Sequence, residues 1–203
     1  MTRKGAAAMD DLRISPLQHL HHRLAEAGSD GPRGVRLREL AFSTQIGLRA
    51  EPGSAAHQRL AEVLGGLPGA VGETTGSPQQ TATLWLAPDE FLTLAAPDSD
   101  HLLDQLKEAL GDDPGQVVDL SANRTTVELI GGAARETLEK GVPADLHPRS
   151  FGIDQAVTTT LGPVPVLLWR TGENSFRVLL RSSYAEYLAH WLLDAVREFQ
   201  VTS

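Results

Sequence analysis

A β-hairpin followed by an amphipathic helix occurs twice in this chain, and that duplication limits the possible folds more than any other feature. The first copy is LWLAPDEFLTLA, Leu84 to Ala95. It leads into a helix capped by Ser99, striped by Leu102, Leu103, Leu106 and Leu110, and ended by Gly111. The second copy is LLWRTGENSFRVLL, Leu167 to Leu180, and its helix starts at Ser183. Leu84-Trp85 aligns with Leu168-Trp169, and Phe91 with Phe176, if the second turn holds one extra residue. A strand–helix–strand region precedes each copy. The pattern predicts an α+β fold of two related βαββ-α units whose sheets share one core. The divisions are an N-terminal arm and helix at 1–28, a first half at 29–116 and a second half at 117–203, within one compact domain.

Local signals fill in this outline. Ser15 is placed to cap a first helix, with Pro16 where helices best tolerate proline. Leu17, Leu20 and Leu24 form its apolar stripe, and Gly28 ends it. Val35 to Ala50 reads as strand, anchored by Leu37, Ile46 and Leu48. A helix from about Ser54 to Leu64 stops at Gly65-Gly66, and Gly72 to Gln80 reads as a loop. Val117, Val118 and Leu120 predict a short buried strand. Arg124 opens the next one, with Thr125, Val127 and Leu129 facing one way and Thr126, Glu128 and Ile130 the other. Gly131-Gly132 turns into a short helix carrying Ala134 and Leu138, with Gly141 as a left-handed cap. In the last helix Ser183 and Glu186 have capping-box spacing. Tyr184, Leu188, Trp191, Leu192, Ala195 and Phe199 lie on one face.

Composition removes several function classes. There is no cysteine, so disulfides, thiolate metal sites, thiol nucleophiles and cysteinyl flavin attachment are all excluded. The net charge is −8, and no basic face offers itself to nucleic acid or anionic membrane. No apolar run is long enough to span a bilayer. The start, MTRKGAAAMDDLR, lacks the apolar core of a signal peptide. It reads as a disordered lead-in to a cytoplasmic protein.

The remaining chemistry candidates have bland explanations. His19, His21 and His22 form the one histidine cluster, without HExxH or a zinc set; they read as helix surface or a partner contact. Gly131-Gly132 could cradle a phosphate at a helix start, but without GxGxxG or GxxxxGK[ST] a tight turn explains it. Asp145, His147 and a serine could suggest a triad, yet no GxSxG is present and turn chemistry accounts for Asp145. Arg124 needs a carboxylate or several carbonyls if buried, and Asp119 is its nearest candidate partner; an anion site or an intersubunit pair is the alternative. No residue is assigned a catalytic, cofactor-binding or metal-binding role.

The stretch VVDLSANRTTVELIGGAARETLEKGVPADLHPRSF, Val117 to Phe151, resembles the gamma subunit of heterotetrameric sarcosine oxidase. The resemblance rests on Asp119-Leu120-Ser121, Arg124, Leu129-Ile130-Gly131, Ala134-Arg135, Leu138, Lys140-Gly141, Asp145-Leu146, Pro148 and Phe151. It extends to Ser15-Pro16-Leu17 and to the segment from Arg181 to Phe199.

This resemblance implies a fold similar to the folate-binding domain of the aminomethyltransferase of the glycine cleavage system. It implies membership of an αβγδ complex that oxidises sarcosine to glycine, forming hydrogen peroxide and either formaldehyde or methylenetetrahydrofolate. FAD, FMN and NAD would lie in other subunits, with tetrahydrofolate as co-substrate. This chain would be a structural and assembly subunit, itself without an active site, with the alpha, beta and delta subunits as partners, chiefly alpha. The candidate contact regions are the arm up to Leu24 and the Gly72–Gln80 loop, both too polar or mobile for a core. The alternative reading is a free-standing folate-binding or one-carbon-transfer protein of the same fold.

Overall fold

The computed structural model describes residues 13–200; the expected lead-in MTRKGAAAMDDLR lies outside them except for Arg13, which pairs with Asp98. Ten strands are present: β1 Arg36–Glu39, β2 Thr44–Arg49, β3 Thr74–Gly76, β4 Ala82–Ala87, β5 Glu90–Ala95, β6 Gln116–Asp119, β7 Arg124–Ile130, β8 Gln155–Leu161, β9 Val164–Gly172 and β10 Ser175–Arg181. The α-helices are α1 His21–Glu26, α2 Ala55–Leu64, α3 Asp100–Leu110, α4 Ala134–Glu139 and α5 Ala185–Ala195.

The strands form two antiparallel five-stranded sheets, ordered β1-β7-β10-β9-β8 and β3-β4-β5-β2-β6. The sheets face each other across Leu84, Leu92, Leu94, Leu167, Trp169 and Leu179. Helices α1, α4 and α5 cover the outer face of the first sheet through Leu24, Leu138, Leu188 and Leu192, packed with Val127, Leu129 and Phe176. Helices α2 and α3 cover the second through Leu60 and Leu106, packed with Ile46, Leu48 and Phe91. The result is a four-layer α–β–β–α sandwich in which the central strands bury both faces, as the apolar runs of β5 and β9 require.

The expected duplication is present, with corrections in detail. Each unit runs strand, helix, three strands, helix: β2-α2-β3-β4-β5-α3 and β7-α4-β8-β9-β10-α5. The Val35–Ala50 strand is two strands in different sheets. β1 leaves the first half to pair with β7, and β6 pairs with β2, so each sheet receives its last edge strand from beyond its own unit. The chain crosses between sheets at 40–43 and again at 120–123. Leu40 N–H donates to Thr126 O (2.8 Å) and Leu120 N–H to Gln45 O (2.7 Å), which makes the two crossings equivalent.

The hairpins differ from the expected alignment by one residue. Leu84 pairs with Leu92 and Trp169 with Arg177. Both hairpins have two-residue turns and one bulged residue, Leu86 in the first and Thr171 in the second. No extra residue is needed, and Leu84 corresponds to Trp169 rather than to Leu168. Both face the opposite sheet, and a one-residue slip would have put them on opposite faces. Phe91 and Phe176 do correspond, each lying under its own sheet's helices.

Several caps also differ. The helix expected from about Ser54 to Leu64 is present, with Ser54 accepting from His57 N–H (3.1 Å) and Gly65 ending it in the left-handed conformation. Ser15 does not cap a helix, because its hydroxyl is taken by Glu39. Ser99 sits at the N-cap of α3 but turns its hydroxyl back to Ala96 O (2.8 Å). Ser183 and Glu186 make no capping box, since a 3-10 turn at Ser182–Tyr184 shifts the start of α5 to Ala185. That shift also leaves Tyr184 exposed at the end of the stripe. Gly141 has no left-handed backbone; a Cβ there would lie 2.7 Å from Trp191 Cζ2 and 3.0 Å from Gly162 N. It is a close-packing glycine between α4 and α5. The Gly72–Gln80 stretch contains β3, and β6 is an open edge strand, with Val118 exposed.

Candidate functional site

The most exposed question left by the sequence is Arg124. It opens β7 opposite Arg181 of β10 and is partly buried at the wall of a cavity of about 410 Å³ between the two crossings. Asp119 does not pair with it. The Asp119 carboxylate instead accepts from Ser121 N–H (2.9 Å) and Ser121 Oγ (2.6 Å), and these bonds hold it below the usual carboxylate range. Donors two residues away in a turn are closer than the guanidinium at the start of the next strand, so the local bonds win. Arg124 Nη1 is buried with no hydrogen-bond partner among the described residues. Burial, followed by the like charge of Arg181, lowers the Arg124 pKa, yet a guanidinium remains protonated at any physiological pH.

Gln45, on β2 across the same cavity, is 2% exposed. Its Nε2 donates to Arg124 O (3.4 Å), while its Oε1 has no partner. A buried donor and a buried acceptor thus line one cavity, each unsatisfied. Buried polar groups are nearly always bonded, so such pairs are uncommon.

The other sequence candidates resolve into structure. At Gly131 and Gly132 an added Cβ would approach Gly34 O to 2.3 Å and Pro32 O to 1.8 Å. The pair exists to let the 32–35 backbone pass, not to cradle a ligand. Asp145 accepts from His147 N–H (2.9 Å) and Ser150 Oγ (2.7 Å), while His147 Nδ1 accepts from Arg149 N–H (3.3 Å). Ser150 is bonded to the carboxylate rather than to the imidazole, so these three residues form a turn with no nucleophile–base contact. His22 pairs with Glu26 (3.0 Å) on the helix surface. No cluster of three or more metal-ligating side chains occurs among the described residues.

The expectation that the arm is too polar for a core is overturned. Leu17, Leu20 and Leu24 are buried in the main core, and the polar groups between them close on Glu39. The Glu39 side chain is fully buried. It accepts from Ser15 Oγ (2.5 Å), Leu17 N–H (3.3 Å), Thr125 Oγ1 (2.6 Å) and His21 Nε2 (2.7 Å). Four donors satisfy a carboxylate that would otherwise be costly to bury.

Comparison with known proteins follows the same outline as the fold. Residues 47–198 match the model of the sarcosine oxidase, gamma subunit family. Sarcosine oxidase subunit gamma of Corynebacterium sp. (strain U-96) is 57% identical over 189 residues, covering 93% of this chain and 92% of that protein. The Arthrobacter sp. subunit gamma is 54% identical with the same coverage. The chain belongs to the sarcosine oxidase gamma subunit family. A chain of the heterotetrameric sarcosine oxidase from Corynebacterium sp. U-96, solved in complex with pyrrole 2-carboxylate, superposes with a TM-score of 0.91 at 54% identity, covering 95% of this chain and 98% of that one. The glycine cleavage system aminomethyltransferase T of Bartonella henselae superposes with a TM-score of 0.65 at 18% identity, covering 92% of this chain and 58% of that one. That likeness gives the fold alone, and it is the fold the resemblance implied.

Two buried charged groups of this gamma subunit family member carry no sequence signal. Glu128 is held by Arg38 (2.6 Å) and Arg177 (3.2 Å), its neighbours on the strands either side. Arg170, 4% exposed, donates to the carbonyls of Phe151 (2.7 Å), Glu173 (3.0 Å) and Gly172 (3.2 Å). Strand alternation could have placed Glu128 inside, but its partners depend on which strands become neighbours. Arg170 lies beside a turn whose carbonyls no motif predicts.

Proposed function

We propose that this chain is the gamma subunit of a heterotetrameric sarcosine oxidase and serves as a structural and assembly subunit. The observation that carries this reading is the near end-to-end superposition on a chain of the Corynebacterium complex at 54% identity. In the reaction so assigned, the complex oxidises sarcosine to glycine with oxygen. Hydrogen peroxide is formed, and the methyl carbon leaves as formaldehyde or methylenetetrahydrofolate.

FAD, FMN and NAD reside in the other subunits, and this chain packs chiefly on alpha, in the cytoplasm. The chemistry of this chain supports that division of labour. Asp145, His147, Glu39, Glu128 and Arg170 are each committed to bonds that hold the fold together. Buried atoms without a partner among the described residues remain at Arg124 Nη1, Gln45 Oε1 and Trp169 Nε1; the Arg124–Gln45 pair suits recognition better than catalysis, since neither group is a nucleophile or a general base near neutral pH.

Co-expression of this chain with the other subunits tests the reading. The chain is expected to co-purify in stoichiometric amount, and its omission is expected to lower the yield of active oxidase. Active complex that assembles equally well without it would overturn the assignment.

A further inference from the structure

We propose that the cavity between the two sheet crossings is a docking site for an extended segment of another subunit, one that presents an Asp or Glu side chain to Arg124 and a backbone N–H to Gln45. This inference rests on the assembly role proposed above and deepens it.

Three observations point to that occupant. Arg124 and Gln45 both line the same cavity of about 410 Å³, and each carries a buried atom, Nη1 and Oε1, that is unpartnered among the described residues. One needs an acceptor and the other a donor. A sulfate dianion offers acceptors only and a hydrogen phosphate a single O–H, whereas a polypeptide with an acidic side chain offers a carboxylate and separate backbone N–H groups at the spacing of a chain. The charge also fits. Arg124 and its cross-strand neighbour Arg181 are cationic, and the Asp119 carboxylate on the same wall is engaged by Ser121. Finally, the cavity opens beside Ile14, 77% exposed, and Phe42, 38% exposed. Apolar side chains at the mouth extend the surface beyond what a small ligand would cover and fit the apolar neighbours of an acidic anchor.

The backbone at Phe42 supports a site rather than a passive loop. Its φ is +59°, in the left-handed region that costs a β-carbon residue energy. That conformation holds the aromatic ring at the rim, with Arg13 stacked on it at 4.8 Å.

The test uses the co-expressed complex. With Phe42 replaced by the photoreactive analogue p-benzoylphenylalanine, irradiation and peptide mass spectrometry are expected to join it to one segment of a different subunit containing Asp or Glu. Arg124→Met keeps the side-chain volume and removes the charge, and Gln45→Leu removes the acceptor. Each is expected to weaken retention of this chain on the complex at least tenfold, with its soluble yield unchanged, while Arg124→Lys retains most of the affinity.

Cross-linking to a second copy of this chain, to a segment without an acidic residue or to no chain would overturn the inference. So would unimpaired assembly of both Arg124→Met and Gln45→Leu, which is the result if water alone fills the cavity. In those cases wild-type assembly still stands, whereas loss of the wild-type chain from the complex would overturn the assembly role itself.

Discussion

The two sheet crossings occupy equivalent places in a duplicated fold, and their carboxylates have opposite fates. Glu39 ends β1 and Asp119 ends β6, each just before the chain passes to the other sheet. Glu39 is sealed under the N-terminal arm and accepts four hydrogen bonds. Asp119 lies exposed and is bonded to Ser121. Similar divergence runs along the neighbouring strands. Where the first unit has Gly47 and Leu92, the second has Glu128 and Arg177, an ion pair with Glu128 buried and Arg177 half-buried. Once one crossing is covered by an added segment, its polar groups become internal and must be satisfied. The uncovered crossing stays free to meet something else, and the unpartnered atoms of Arg124 and Gln45 belong to residues on the cavity wall between the two crossings.

The equivalence can be broken at the level of the cores. Phe91 and Phe176 are corresponding side chains, both essentially inaccessible. Phe91→Ala and Phe176→Ala should each cost about 3–5 kcal/mol. Because the two sheets share the Leu84–Trp169 core, both variants should still unfold in one transition, followed by denaturant titration with fluorescence and circular dichroism together. A separate early transition for Phe91→Ala would mean that the sheets are independent units.

The crossings themselves give a sharper contrast. Glu39→Ala leaves the Ser15, Thr125, Leu17 and His21 donors without their acceptor, three of them inside the fold. A loss of about 3 kcal/mol is expected, from unsatisfied buried donors. Asp119→Ala, at the equivalent exposed place, should cost less than about 1 kcal/mol. Equal losses would show that the arm does not distinguish the two ends.

Much of the fold is legible in the sequence, and the rest is hidden for physical reasons. Apolar periodicity located the helices around Leu60, Leu106 and Leu188 and the strand faces of β7, because burial of one face is a local pattern. Val35–Ala50 reads as one strand because both of its parts carry apolar anchors, Leu37 in one and Ile46 and Leu48 in the other; the break at 40–43 is visible only when one asks which sheet each part joins. The one-residue error at Leu84 arose because Leu-Trp repeats in both hairpins, and chemical likeness outweighed register. Arg124 was marked from its position at a strand start, but its cavity partner Gln45 was not, since the two meet only through the crossing of β2 and β7 into facing sheets. Glu39 was missed because its four donors come from two distant segments.

A milder test concerns the helix junction. Gly141→Ala places a methyl against Trp191, Leu161 and the backbone at Gly162. Crowding of this kind costs about 1–3 kcal/mol. The expected readout is a lower midpoint with a shifted near-ultraviolet signal from Trp191, because the ring must move. Had Gly141 been a left-handed cap, the midpoint would fall with the tryptophan signal unchanged.

The smallest effect expected is at Asp145, where charge rather than packing decides. Bonds from Ser150 and His147 N–H, the largest influences, hold its carboxyl below the usual range. A carboxylate whose folded pKa is depressed contributes stability that is fully present above its unfolded pKa, about 3.9, and that is lost as the pH falls through the folded value. Asp145→Asn keeps the shape and removes the charge. Wild type should therefore be slightly more stable than the variant at pH 7, and the gap should narrow below about pH 4. Thermal midpoints of both proteins between pH 7 and pH 3 measure this directly. A gap that stays constant across the range would mean that Asp145 acts through shape alone, as a neutral turn residue would.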